Sequence, residues 1–156
     1  MRAYDAIVAK NPDDGRYGNN AGLWYRDIGR DYEQSLRYYL ASVKAEPEDQ
    51  DYVNDCALIY LFHLTDRKET CLPMFEKVRA LVEEDGQEPV RGYWDTLENL
   101  CKYWFERGEY AKVVECAKKR ADPAARAFGN PYPSLRAAQY LNAAQKKIDD
   151  AKKPAK

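Results

Sequence analysis

Histidine is nearly absent: among 156 residues only His63 carries an imidazole. That excludes a histidine-rich metal centre and leaves imidazole catalysis a single position. The four cysteines, at 56, 71, 101 and 116, form no CxxC pair and lack the spacing of a zinc ribbon. An excess of either charge is missing too, since 25 basic and 26 acidic side chains leave a formal charge of -1. Such a chain has no long-range attraction for phosphate or anionic lipid, so neither nucleic acid nor membrane is expected as a partner. No apolar run approaches the length of a membrane span, and the opening MRAYDAIVAKNPDD lacks the apolar core of a signal peptide. The expected location is cytoplasmic. The eight glycines stand singly, which excludes a glycine-rich phosphate loop. What remains is ample for a core: 45% hydrophobic residues and 13 tyrosines. One compact domain of this length buries roughly 70% of its unfolded surface and has no need of a disulfide framework.

Internal similarity gives the organisation. The segment Tyr17-Gly18-Asn19-Asn20-Ala21-Gly22-Leu23-Trp24-Tyr25 is answered 35 positions later by Tyr52-Val53-Asn54-Asp55-Cys56-Ala57-Leu58-Ile59-Tyr60. Asn11-Pro12-Asp13-Asp14 and Glu46-Pro47-Glu48-Asp49 precede them at the same offset. A weaker third copy starts at Glu88-Pro89 and runs through Glu98 to Trp104, its larger offset implying a longer loop around Glu84-Asp85-Gly86-Gln87. A second apolar-periodic segment follows each block: from Tyr32 to Val43 after a turn at Gly29-Arg30-Asp31, from Cys71 through Phe75 and Val78, and from Tyr110 to Ala117 after Gly108. Each copy therefore reads as two antiparallel helices, with proline excluded from the helix interior and tolerated in the first turn of the next.

The positions Ala21-Gly22, Tyr25, Ser35, Tyr39 and Pro47 resemble the tetratricopeptide repeat pattern, with Gly18 where that family has an early Trp and one residue added in the turn. The second copy offers Cys56-Ala57, Tyr60, Cys71 and Phe75; the third offers Leu97, Leu100-Cys101, Trp104, Gly108, Tyr110 and Val113. The resemblance covers about residues 3–121. It implies an all-α fold of about eight helices, a short right-handed solenoid forming one domain over residues 1–152. Its parts are a trailing half-repeat (1–12), repeats at 13–47, 48–86 and 87–122, a capping helix at 133–150 whose N-cap is Ser134, and a frayed tail at 152–156. A loop is expected from Asp122 to Pro133.

Function is expected to be non-enzymatic. Cys56, Cys71 and Cys101 fall where small residues let helices approach and read as buried small hydrophobes, although an even cysteine count permits two disulfides. His63 reads as a packing or helix-end residue, and Glu83-Glu84 and Asp149-Asp150, adjacent in sequence, as solvated charge. No metal or cofactor is expected. Helical phase places the small and aromatic residues of each first helix toward its partner helix and so defines an opposite stripe. The resemblance makes that stripe the concave groove. Asn19, Leu23 and Arg26, then Asn54, Leu58 and Phe62, then Glu98, Lys102 and Phe105 are its candidate peptide-binding residues. Asparagines would grip a peptide backbone and apolar residues would anchor its side chains. The partner would be a protein or peptide segment. The alternative is a self-associating scaffold, a homodimer formed through the N-terminal half-repeat with Tyr4, Ile7 and Val8.

Overall fold

The computed structural model describes residues 3–121 and 134–153, and the chain divides into two compact units, 1–88 and 89–156. Among the described residues all regular structure is helical. The first unit holds α1 (Ala3–Lys10), α2 (Gly15–Trp24), α3 (Tyr32–Ala45), α4 (Gln50–Phe62) and α5 (Cys71–Glu83). The second holds α6 (Arg91–Glu106), α7 (Tyr110–Arg120) and α8 (Leu135–Ala151). Helices consecutive in sequence pack as hairpins, α2 on α3, α4 on α5 and α6 on α7.

Local chemistry explains where the helices start. Asp14 accepts from the Arg16 N–H at 3.1 Å, Asp31 from that of Gln34 at 3.1 Å and Asp49 from that of Tyr52 at 2.9 Å. Ser134, the expected N-cap, accepts from the Ala137 N–H at 3.1 Å. Each bond satisfies a donor that the helix leaves without a partner, and is worth about 1 kcal/mol. Asp14 and Asp49 occupy equivalent places in the 35-residue period, so the repeat extends to the capping chemistry. Pro12 and Pro47 follow the ends of α1 and α3.

Two endings differ from simple helix termination. After α2 the backbone widens into a π-helical turn, Tyr25–Gly29, closed by Arg30 in the left-handed region at φ 49°. The Tyr25 carbonyl accepts from both Arg30 and Asp31, so the one-residue excess of the first copy is absorbed there. Between α4 and α5 runs a 3-10 segment, Thr65–Thr70, interrupted at Arg67. Gly86 and Gly108 have φ 74° in the two turns where the sequence places loops.

In the first unit Ala21, Tyr25 and Tyr38 form a cluster against which Tyr4 and Val8 of α1 pack. The Tyr25 and Tyr38 rings stack at 5.3 Å, and Tyr4 meets both edge-on. The Tyr38 hydroxyl donates to Asp5 at 2.7 Å, fastening α1 to α3. Gly18 and Gly22 permit the α2–α3 approach. A Cβ on Gly18 would lie 2.8 Å from the Tyr38 carbonyl, and one on Gly22 would lie 2.7 Å from the Tyr39 ring. The Ser35 hydroxyl donates to the Gly22 carbonyl at 2.8 Å. At the equivalent crossing in the second unit the Cys101 thiol faces the Val113 carbonyl at 3.8 Å. In α8 only Ala137 and Ala144 are fully buried among the described residues. The expected loop from Asp122 to Pro133 and the last three residues of the expected tail lie outside the described residues.

Candidate functional site

Six of the nine candidate residues belong to the first unit. Asn19, Leu23 and Arg26 recur on α2 and the turn after it at spacings of four and three, which puts them on one face. α4, which touches α2, carries Asn54, Leu58 and Phe62. Leu23 is exposed, while Asn19, Arg26, Leu58 and Phe62 are half-buried. Asn54 differs: it is 3% exposed. Helical phase alone put it on the outer stripe, yet α4 is buried on most of its circumference, with Tyr52, Val53, Cys56, Ala57, Ile59, Tyr60 and Leu61 all inside. An asparagine on such a helix takes part in the interior, and Asn54 does not lie on an open surface beside Asn19.

The electrostatics of this face centre on Arg26. Its guanidinium makes a two-pronged contact with Asp27, at 2.6 and 3.1 Å. Burial works against the Arg26 charge, but the bond to Asp27 and the fields of Tyr39, Asp27 and Asp55 outweigh it and hold the pKa above its ordinary value. Tyr39 lies fully inside, and burial, followed by the field of Asp55, pushes its phenol pKa well up. Neither the Tyr39 hydroxyl nor the Asn19 amide oxygen has a hydrogen-bond partner, although both atoms are buried. A polar group withdrawn from water without a replacement costs about 1–3 kcal/mol. His63 caps the C-terminus of α4 and stacks on Tyr32 at 4.0 Å. Burial, and then the positive charge of Arg26, lowers its pKa, with Asp27 opposing.

In the second unit Glu98, Lys102 and Phe105 lie along α6, and α8 engages two of them. Ser134 donates its hydroxyl to Glu98, and Arg136 pairs with the same carboxylate at 3.4 Å. Phe105 meets Tyr110 and Tyr140, each with ring centres 5.5 Å apart. Lys102 forms an ion pair with Glu106. Beside them Phe105, Arg136, Gln139, Tyr140 and Ala143 line an open pocket of about 420 Å³. The engagement of Glu98 by α8 was not visible from repeat phase, because it depends on residues 36 and 38 positions downstream.

All four cysteines are buried, and none is in a disulfide. Burial, then Asp55, pushes the Cys56 thiol up to about 12, and burial raises Cys101 as well, so these are protonated thiols and not nucleophiles. Among the described residues no group of three His, Cys, Asp or Glu side chains is placed to hold a metal ion. No described helix is long and apolar enough to cross a membrane.

The fold and the site together define an all-helical protein built of hairpins, with a mixed polar and apolar face on its first unit. No protein-family model matches the chain, and no curated protein is recognisably similar to it in sequence.

Proposed function

We propose that the protein is a non-enzymatic interaction module, a short tetratricopeptide-like helical repeat that binds a protein or peptide segment on the face carried by α2 and α4. The observation that supports this reading most directly is the juxtaposition on one face of half-buried Asn19 and exposed Leu23 of α2 with half-buried Arg26 in the turn after it. An extended peptide supplies backbone polar groups for the Asn19 amide and apolar side chains for Leu23. Arg26 is already neutralised by Asp27, which argues against a purely acidic ligand and for a mixed or partly apolar one. Lysate capture with the wild type and with Asn19→Ala/Leu23→Asp, read by mass spectrometry, tests it. A partner retained only by the wild type, with the melting temperature of the variant within about 2 °C of it, supports the assignment. Equal capture by both proteins rejects it.

Self-association is the second reading, favoured by an apolar edge. Ile28 is 69% exposed, Trp24 and Ile7 are about two-fifths exposed, and Trp24 touches Tyr4 of α1 at 5.9 Å. A dimer through this edge would give a larger species in light scattering that disappears in Ile28→Asp. A monomer at all concentrations rules it out.

A further inference from the structure

The formal charge of -1 conceals a division between the two units. Residues 1–88 carry 11 basic and 18 acidic side chains, and residues 89–156 carry 14 and 8. Opposite charge on the two parts of one chain favours contact between unlike parts of two copies over contact between like parts.

In the second unit an open concavity of about 470 Å³ lies between the start of α7 and the end of α8. Tyr110, Ala111, Ile148 and Ala151 form its apolar part, and Lys147 and Lys152 line it with exposed side chains. The carboxylate there, Glu109, lies 3.8 Å from the Lys112 ammonium. Lysine stems lie along apolar surface while their ammonium groups stay in water, so the concavity suits a segment that presents carboxylates beside an apolar group.

Such a segment exists in the first unit. Residues 83–88 hold four carboxylates and no basic residue. Glu83 pairs with Arg79 at 3.0 Å, whereas Glu84, Asp85 and Glu88 are exposed. The turn stands clear of its surroundings, since a Cβ on Gly86 would meet no atom within 4 Å. The Gln50 amide donates to the Gln87 side chain at 3.2 Å and to the Glu88 carbonyl at 3.0 Å, which brings the acidic stretch 46–51 beside it. Val90, 40% exposed, follows two residues after Glu88 and supplies the apolar group.

We propose that the concavity between α7 and α8 binds the acidic turn 83–88 of a second copy, so that copies associate head to tail. The two surfaces differ, so the contact is heterologous and extends beyond a dimer or closes into a ring. It uses neither the α2–α4 face nor the apolar edge at Ile28.

Sedimentation velocity of the full chain over a range of concentrations tests this contact, at about 10 mM salt, where charges act over about 30 Å, and at about 1 M, where they act over about 3 Å. At low salt the weight-average mass climbs with concentration to about twice that of the monomer or beyond, as a heterologous contact allows. At high salt it returns to the monomer. Lys147→Glu/Lys152→Glu and Glu84→Lys/Asp85→Lys, all at exposed positions, are each monomeric at low salt. Mixed in equal amounts they associate again, because opposite charges then face each other. Ile28→Asp leaves the wild-type behaviour unchanged. A wild type that stays monomeric at low salt overturns the proposal, as does association that grows with salt, that survives in either double variant, or that fails to return on mixing them.

Discussion

Gly18 and Gly22 lie one turn apart on α2 and face the same helix, yet they resist substitution for different reasons. At Gly18 the obstacle is backbone, the Tyr38 carbonyl at 2.8 Å and the Ser42 nitrogen at 3.1 Å; at Gly22 it is a fully buried ring. Alanine brings a helix-propensity gain of up to about 1 kcal/mol, and overpacking against an immobile neighbour costs about 1–3 kcal/mol. Gly18→Ala should therefore lower the stability measured by urea unfolding, and Gly22→Val should lower it further because the branched side chain adds volume against Tyr39. The sequence marks Gly22 as the close-approach position and sets Gly18 where the tetratricopeptide pattern has Trp; which glycine touches backbone depends on the helix across from it. Asn19 and Asn54 make the same point: equal repeat positions, but one carries an unpartnered oxygen on a half-buried side chain and the other is buried. Repeat phase fixes direction around a helix axis, while burial depends on what lies across from it. His63 yields a pH prediction. Its folded pKa is below the ordinary 6.5, so the unfolded chain binds the proton more readily. The contribution is complete above 6.5 and is lost as pH falls through the folded pKa. The wild-type melting temperature should fall between pH ~7.5 and ~5.5 more than that of His63→Gln, by a small amount because the ring is only half-buried. The lowered carboxylates Asp14 and Asp27 act in a separate window, losing their contribution only as pH drops below their ordinary 3.8.

At the scale of the element, the turn after α2 holds the sharpest prediction. Arg30 adopts φ 49°, ψ 29°, a conformation in which a side chain costs roughly 1–2 kcal/mol relative to the right-handed region. Arg30→Gly should raise stability by about 0.5–1 kcal/mol in chemical denaturation, since glycine's greater freedom in the unfolded chain returns part of the gain. Asp31 begins α3 one residue later, and Asp31→Ala should cost about 1 kcal/mol through loss of the bond to Gln34. The helices themselves were legible because their punctuation is chemical. α3, α5 and α7 begin at Tyr32, Cys71 and Tyr110, the residues from which the apolar periodicity starts. The π-helical turn was not legible. The period shows one residue too many, but whether the excess lengthens a loop or widens a helix depends on which carbonyl captures the Asp31 N–H, and here it is that of Tyr25. The start of α6 at Arg91 was blurred for a similar reason: the third copy lacks an aspartate N-cap, and Val90 makes no side-chain bond there.

For the molecule as a whole, the all-helical class follows from the period alone, because each copy alternates two apolar stripes that only a hairpin can bury together. The division after Glu88 falls two residues from the repeat boundary expected at 86, where Gly86 turns the chain and Pro89 resists helix. The Gln50 amide holds that end in place by donating to the Glu88 carbonyl at 3.0 Å. What the period does not carry is the use of each exposed face, since surface chemistry is not part of what repeats. The cysteines connect the global fold to an accessible measurement. They fall as two pairs at the same spacing, one in each of two hairpins, and all four are at most 1% exposed. A thiol reagent reaches such groups only when the hairpin opens. Titration of the native protein with an aromatic disulfide reagent should show no fast phase, and denaturant should release four equivalents. The native rate should rise with urea along the unfolding transition. If one pair reacts at lower urea than the other, the hairpin α4–α5 or the hairpin α6–α7 opens by itself, and peptide mapping of the first-labelled cysteine identifies which. If all four react together, the described hairpins unfold as one cooperative body, and a partner bound to the α2–α4 face should slow labelling at Cys101 and Cys116 as much as at Cys56 and Cys71.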